Sequence, residues 1–246
     1  MKSVIAFTGK ARSGKDTSCS IVKNLLNEAG YTVKVFAFAD NLKATAGFIF
    51  DLNWQDLYGD TKETPKKFSL DFDNLNSRVA WAFQLNMKSK GIHEDAKLCG
   101  EITDRLIKEL KKVGKPTLLT KLGLKNEYMI SSRQIQQVWG SEVIRKILGE
   151  RFWITDLAER IEKFYGDCVK KSHIGIALIC DLRFDIEAEF LQSYDSQIIE
   201  ITRKDAIQVA SHSSERGIST NFSRDIIQNN GTMEELESKL KTIINL

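Results

Sequence analysis

The spacing of apolar residues along the chain switches between two periods, and the switching predicts its elements. Val4, Ile5, Ala6 and Phe7 make residues 3–8 an apolar, partly β-branched run of strand length. Over 15–29 the period lengthens: Ile21, Val22, Leu25 and Leu26 recur at helical spacing, and Gly30 ends them. Tyr31 to Phe38, with Val33, Val35, Phe36 and Phe38, reads as a second strand. A helix is expected to follow, with Asp40 as its N-cap. Strand, helix, strand, helix predicts a parallel sheet, whose ligands sit beyond the carboxyl ends of its strands.

Residues 51–127 break this alternation. Leu75, Val79, Phe83 and Met87 share one face of a helix expected over Asp71 to Lys90. Leu98, Ile102, Leu106 and Leu110 do the same over Asp95 to Lys112, before Gly114 and Pro116. With no buried strand in view, the segment reads as a helical insert over the sheet edge, placed to cover a substrate. The polar stretch Tyr58 to Glu63 either faces that substrate or is a plain surface loop. Lys108, Lys111, Lys112 and Lys115 read as a solvated helix end, which the helix dipole favours.

Alternation then returns. Ser131 and Gln134 match a capping box, with Ile135, Val138, Trp139, Ile144 and Ile147 as the buried side of the helix. Phe152 to Phe164 is a further helix. Ile174 to Cys180 reads as a fully buried parallel strand ending in Asp181-Leu182-Arg183. Glu187 to Leu191 is helical, Ile198 to Ile201 a fourth strand, and 204–223 a polar segment expected to be mobile near the active site. A last strand over Arg224 to Gln228, the turn Asn229-Asn230-Gly231 and a helix over Met233 to Ile244 close the chain.

The chemistry concentrates between the first strand and the first helix. Gly9 and Gly14 frame four residues and Lys15 follows, the spacing of a phosphate-binding P-loop. Glycines let successive N–H groups turn inward on an anion, and the next helix adds its N-terminus. After Lys15, a Ser or Thr for Mg²⁺ is usual. This chain has Asp16 there and Thr17 one later. A carboxylate beside a triphosphate is repulsive unless a cation lies between them, so Asp16 reads best as a Mg²⁺ partner; a residue that merely caps the helix and favours its N-terminus is the alternative. Asp181, at the end of a buried strand, is where such proteins keep an acid for Mg²⁺. Arg183 is placed to clamp a phosphate; a structural Asp–Arg pair explains the same residues. Arg133 sits in a helix's first turn, where the dipole disfavours a cation, which suggests an anionic partner such as a substrate phosphate; an ordinary surface arginine is the alternative. Asp40 and Lys43 are expected at the sheet edge beside the P-loop, as substrate groups or as a cap and a solvated lysine.

Composition narrows the class. The chain has 246 residues, 42% of them hydrophobic, enough for one large domain or one domain with an insert. A net charge of +3 neither demands nucleic acid nor repels an anionic substrate. Cys19, Cys99, Cys168 and Cys180 are scattered and read as reduced thiols of a cytoplasmic protein without a zinc site. No N-terminal signal and no membrane-spanning run are seen, and His93, His173 and His212 lack metal-ligand spacing.

Gly9 to Thr17, with its Gly-Lys-Asp-Thr ending, resembles the P-loop of the bacteriophage deoxynucleoside monophosphate kinases. Other pieces are similar in order and spacing: Arg133-Gln134 with Gln137, Trp139 and Gly140; Phe152-Trp153; Asp181-Leu182-Arg183; His212 with Glu215 and Gly217; and Asn230 to Leu236. The match covers both ends and weakens across 51–127. The animal-type phosphomevalonate kinases share the Gly-Lys-Asp loop, the Asp-x-Arg strand end and a Ser-Glu-x-Gly segment. Length and the 133–153 block favour the phage enzymes. The resemblance implies an α/β P-loop fold, a parallel sheet flanked by helices, with core 1–50 and 128–246 and insert 51–127.

The implied reaction is ATP + dNMP → ADP + dNDP, in host-cell cytoplasm if phage-encoded. Gly9, Arg12, Ser13, Gly14, Lys15, Asp16 and Thr17 are then the ATP site. Asp16, Thr17 and Asp181 attend Mg²⁺, and Arg133 and Arg183 grip the acceptor or transferring phosphate. Asp40, Lys43, Gln134, Gln137, Trp153 and Asp181 complete the substrate contacts. The expected partners are these small molecules, with no nucleic acid, no membrane and room for a homodimer. A nucleotide-binding switch without metabolite transfer stays open, although no Asn-Lys-x-Asp base motif is present.

Overall fold

The computed structural model describes residues 2–204 and 217–246. In chain order the strands and α-helices are β1 (Ser3–Thr8), α1 (Lys15–Glu28), β2 (Thr32–Phe36), α2 (Asp40–Phe50), α3 (Trp54–Leu57), β3 (Pro65–Ser69), α4 (Phe72–Asn86), α5 (Ala96–Val113) and β4 (Lys115–Pro116). There follow α6 (Leu118–Lys121), β5 (Glu127–Ser131), α7 (Ser132–Gln137), α8 (Arg145–Leu148), α9 (Phe152–Lys170), β6 (Gly175–Ile179), α10 (Asp185–Leu191), β7 (Asp195–Thr202), β8 (Asp225–Gln228) and α11 (Met233–Ile243). The chain folds as two compact units, 1–38 with 154–246, and 39–153.

The first unit is α/β. Its five-stranded sheet runs β2-β6-β1-β7-β8, and every pairing is parallel. β1 lies between β6 and β7, with Ser3 opposite both Ile176 and Asp195. Side chains of a strand alternate between faces, and the core follows that rule. Val4 and Ala6 join Leu157, Ile161 and Phe164 of α9 and Leu191 of α10 on one face. Ile5 and Phe7 join Val22 and Leu26 of α1 and Leu236 and Leu240 of α11 on the other. A sheet covered on both faces explains the uninterrupted apolar runs of β1 and β6. Because all strands are parallel, residues following β1, β2, β6, β7 and β8 emerge at one edge.

The second unit packs α2, α4, α5 and the 132–148 segment around one core, in which Ile49, Phe83, Ile102, Leu106, Leu110, Ile135 and Trp139 are fully buried. Leu75, Val79 and Met87 are buried there as their spacing predicts. A three-stranded antiparallel sheet, β3-β5-β4, lies in the same unit. The segment 51–127 is therefore not wholly helical. β3 reads Pro-Lys-Lys-Phe-Ser, with lysines on an edge strand and one apolar residue, so it carries no alternating signal. The division also falls at 38/39 and 153/154 rather than at 50/51 and 127/128. The reason is that Ala46, Ile49 and Phe50 of α2, and Trp153, pack into the core of α4 and α5.

Several ends differ from their expected places. Asp40 is the first residue of α2, and Ala39 is the N-cap, without a side-chain cap bond. α4 stops at Asn86, and Lys88–Lys90 is a 3-10 turn. The helix from Ser132 changes at Val138–Ile144 into a π-helix, where the Arg145 N–H reaches the Gly140 carbonyl. α9 runs on to Lys170. Among the described residues no helix is long and apolar enough to cross a membrane. The segment expected to be mobile, with His212, Ser213, Ser214, Glu215 and Arg216, falls largely outside the described residues, at 205–216.

Candidate active site

In the first unit the Gly9–Gly14 loop follows β1 at the sheet's carboxyl edge. Gly9 has φ +137° and Gly14 φ +103°, backbone regions that side-chain-bearing residues avoid. A Cβ on Gly9 would run into the Ile201 carbonyl oxygen of β7, and one on Gly14 into the Asn229 side-chain amide. That amide donates to the Ser13 carbonyl at 2.9 Å, so the turn after β8 braces the loop. Arg12, at φ +61°, is exposed. Gly14 is the N-cap of α1 and offers no side-chain cap, which leaves the first-turn N–H groups for an anion.

Lys15 folds back over the loop, donating from Nζ to the carbonyls of Gly9 at 2.6 Å and Lys10 at 2.7 Å. Its ammonium is thereby placed above the curl of the backbone. The Ser13 hydroxyl is fully buried with no hydrogen-bond partner among the described residues. Asp16 and Thr17 stand exposed on the first turn of α1.

Asp181 leaves β6 at the same edge, next to β1. Its Oδ1 accepts the Phe38 N–H at 2.8 Å, tying the end of β6 to the chain leaving β2. Cys180 reports on the local charge. Its thiol is pushed well above the ordinary thiol range by contact with the Cys19 thiol, by burial, and by the charges of Asp181 and Asp16. Both carboxylates therefore act on one sulfur. Arg183 is exposed, and its backbone N–H donates to Glu187 Oε2 at 2.9 Å.

The second unit holds the other predicted groups. Ser131 and Gln134 form the expected capping box: Gln134 Oε1 accepts the Ser131 N–H at 2.9 Å, and its Nε2 donates to the Val113 carbonyl at 3.2 Å. The Gln134 amide is thus engaged by the fold at both ends. Arg133 does meet an anion, and it is internal: Nη1 lies 3.0 Å from Glu63 Oε1. The Lys43 ammonium lies 4.2 Å from the Tyr58 ring centroid, a cation–π contact. Asp40 and Gln137 are half-buried. Trp153 is only 2% exposed, with Nε1 donating to the Gly140 carbonyl at 3.2 Å, and its ring belongs to the core. Its indole is held by packing rather than presented to solvent.

Two features escaped sequence reasoning. Asp56 is 1% exposed, and its carboxylate takes Lys66 Nζ at 2.5 Å, Thr61 Oγ1 at 3.1 Å and the Asn53 N–H at 3.2 Å. Burial pushes this carboxyl up, but the Lys66, Asn53 and Thr61 bonds outweigh it and hold it below the usual range. Ser132 Oγ then donates to the Asp56 carbonyl at 2.5 Å, fastening the segment to the residue beside Arg133. The Asn53-to-Asp56 spacing was the available signal for this cap. The second feature is Asn229, whose only sequence signal was the Asn-Asn-Gly turn after the last strand.

A phosphate loop at the carboxyl edge of a parallel sheet, with a lysine over it and acids beside it, suits phosphoryl transfer. Comparison with curated proteins gives no match. The family model for deoxynucleotide monophosphate kinases matches residues 3–240, nearly the whole chain. The phosphomevalonate kinase and switch-protein readings gain nothing from it. The match spans the loop, the parallel sheet and the strand end at Asp181, and the chain belongs to the deoxynucleotide monophosphate kinase family, ATP-dependent enzymes that phosphorylate deoxynucleoside monophosphates.

Proposed function

We propose that the first unit binds ATP through Gly9, Arg12, Ser13, Gly14, Lys15, Asp16 and Thr17, and that the second unit supplies the grip on the deoxynucleoside monophosphate. The observation that carries this reading is the loop itself: two left-handed glycines, an uncapped helix N-terminus and a lysine over the curl. Lys15 and the loop N–H groups hold the β- and γ-phosphates of ATP. An oxygen of the acceptor phosphate forms a bond to the γ-phosphorus while the bond to the ADP oxygen breaks. That oxygen is already anionic, so no strong general base is needed, and charge neutralisation and alignment carry the rate.

The donor set fits Mg²⁺. Asp16, Thr17 and Asp181 offer two carboxylates and a hydroxyl, all hard oxygen, and the two acids act on the same thiol. Mg²⁺ is held by one or two carboxylates together with phosphate and water, rather than by an all-protein cage. Mg²⁺ at these oxygens would neutralise phosphate charge.

Arg133 and Arg183 are the proposed clamps on the acceptor or transferring phosphate. Arg133 leaves Glu63 for a dianionic phosphate, which offers a guanidinium a better bidentate match. Asp40, Lys43 and Gln137 are proposed sugar and base contacts, with smaller roles for Gln134 and Trp153, which the fold already engages. ADP formation in a coupled assay, with and without each of dAMP, dCMP, dGMP and dTMP and their ribose counterparts, tests the function. Acceleration by one or more dNMPs is expected, and acceleration by mevalonate 5-phosphate alone would overturn it. Protection of 51–127 from hydrogen exchange by dNMP more than by ATP would support the acceptor role of that segment.

A further inference from the structure

Trp54 opens α3 and Tyr58 follows it, one helical turn apart. Their rings face each other, with centroids 6.0 Å apart and planes at 27°. Trp54 is 65% exposed and Tyr58 46%. Large aromatic faces are ordinarily taken out of water, so an open pair needs a reason. The pair is not on a loose loop. Asn53 and Asp56 form a capping box on α3, the buried Asp56 carboxylate is held by Lys66 and Thr61, and Ser132 is bonded to the Asp56 carbonyl. The rings are therefore displayed on a step built from a buried acid.

The same step carries cations. The Lys43 ammonium lies against the Tyr58 ring, and Glu63, five residues beyond Tyr58, meets Arg133. A flat π surface with a guanidinium and an ammonium in the same group of segments has the chemistry of a nucleoside monophosphate site. The base lies on the ring and the phosphate meets the cations. We propose that Trp54, backed by Tyr58 and Lys43, is the stacking plate for the base of the acceptor deoxynucleoside monophosphate. This rests on the second unit's proposed acceptor role. Stacking uses the face that every base has, so Trp54 acts on each accepted base alike.

The test uses the full chain, wild type and the variants Trp54→Ala and Trp54→Phe, assayed with ATP and each accepted dNMP. Trp54→Ala is expected to raise the acceptor KM by about tenfold, with Trp54→Phe close to wild type. The KM for ATP is expected to move by less than about twofold. Deoxyribose 5-phosphate, which has no base, is expected to inhibit wild type and Trp54→Ala equally as a competitor of dNMP. A binding readout stands beside activity: dNMP is expected to quench the tryptophan emission of wild type more than that of Trp54→Phe. Unchanged acceptor KM in a folded Trp54→Ala enzyme would overturn the stacking role alone. Unchanged KM with a changed oligomeric mass would assign the rings to a contact between copies and overturn it likewise. Failure of the wild type to turn over any dNMP would overturn the acceptor reading, and this inference with it.

Discussion

The glycine loop of the first unit and the Glu63–Arg133 corner of the second each hold a cation against oxygen, but by different means. Lys15 bonds to neutral carbonyls five and six residues back in its own loop. Arg133 bonds to a carboxylate seventy residues away in sequence. The first arrangement is local, so the motif that specifies it can be read from consecutive residues. The second is made by folding. On the proposed reading, phosphate would meet a preset cradle in one region and a competing protein anion in the other. The Arg133–Glu63 pair is partly exposed, and such pairs hold by no more than about 1 kcal/mol, which a doubly charged phosphate can exceed.

The sharpest break of the comparison is Lys15→Met. If the loop is a preset phosphate cradle, removing its charge should lower kcat by about a thousandfold, equivalent to about 4 kcal/mol, with the melting temperature unmoved. Turnover near the wild-type rate would mean that the loop alone carries the transferring charge. Asp16→Asn comes next. Asparagine keeps the shape and the preference for a helix N-terminus, so the lost charge is what is tested. A fall in kcat of about a hundredfold is expected, with a raised Mg²⁺ requirement and little change in stability. A near-wild-type rate at the same Mg²⁺ concentration would leave the carboxylate without an essential role.

The same contrast explains what was legible. β1, α1 and β6 announce themselves because each has a long apolar run of one period and is covered on its buried sides. Gly9, Gly14 and Lys15 act within one loop, and their spacing is their geometry. β3 and β5 pair across some sixty residues through Lys66, Lys67 and Met129, with little apolar pattern to mark them. The change from α to π geometry at Val138 leaves the apolar spacing almost intact, so nothing marks it. The position of Arg133 in a helix's first turn marks a cation that can use an anion, yet Glu63 cannot be chosen from the many acids of the chain. Trp153 fitted a motif and turned out to be held by packing, because a tryptophan in sequence does not say which way its ring faces.

If Arg133 is the acceptor grip, paired variants separate it from its competitor. Arg133→Ala should raise the acceptor KM by about thirtyfold and lower kcat, and Arg133→Lys should rescue poorly, because an ammonium cannot reproduce a bidentate fork. Glu63→Gln should act in the opposite direction. With the competing charge gone, the acceptor KM should fall by about threefold, in line with the weak pairing of partly exposed ions. Equal KM values for wild type and Glu63→Gln would show that the pair does not compete with substrate.

The smallest effect concerns stability, and it belongs to the second region alone. Asp56 carries no proposed chemistry, yet its buried carboxylate joins Asn53, Thr61 and Lys66 and fixes the segment that leads to Glu63. Its carboxyl is held below the usual range in the folded protein, so the unfolded chain takes up a proton first as the pH falls. The stabilisation is therefore complete above the unfolded value of about 4, and is lost as the pH drops through the lower folded value. Asp56→Asn keeps the volume but removes the charge from three bonds. A loss of about 1–2 kcal/mol at neutral pH is expected, which for a chain of this size lowers the melting temperature by about 4 °C. Below about pH 4 the gap between variant and wild type should narrow, because protonation removes the same charge from the native residue. Melting curves at neutral pH and at about pH 3 would measure both. A gap that stays constant across that range would mean that Asp56 acts through packing and not through its charge, and the segment bearing Glu63 would then be held by Ser132 and the cap on α3.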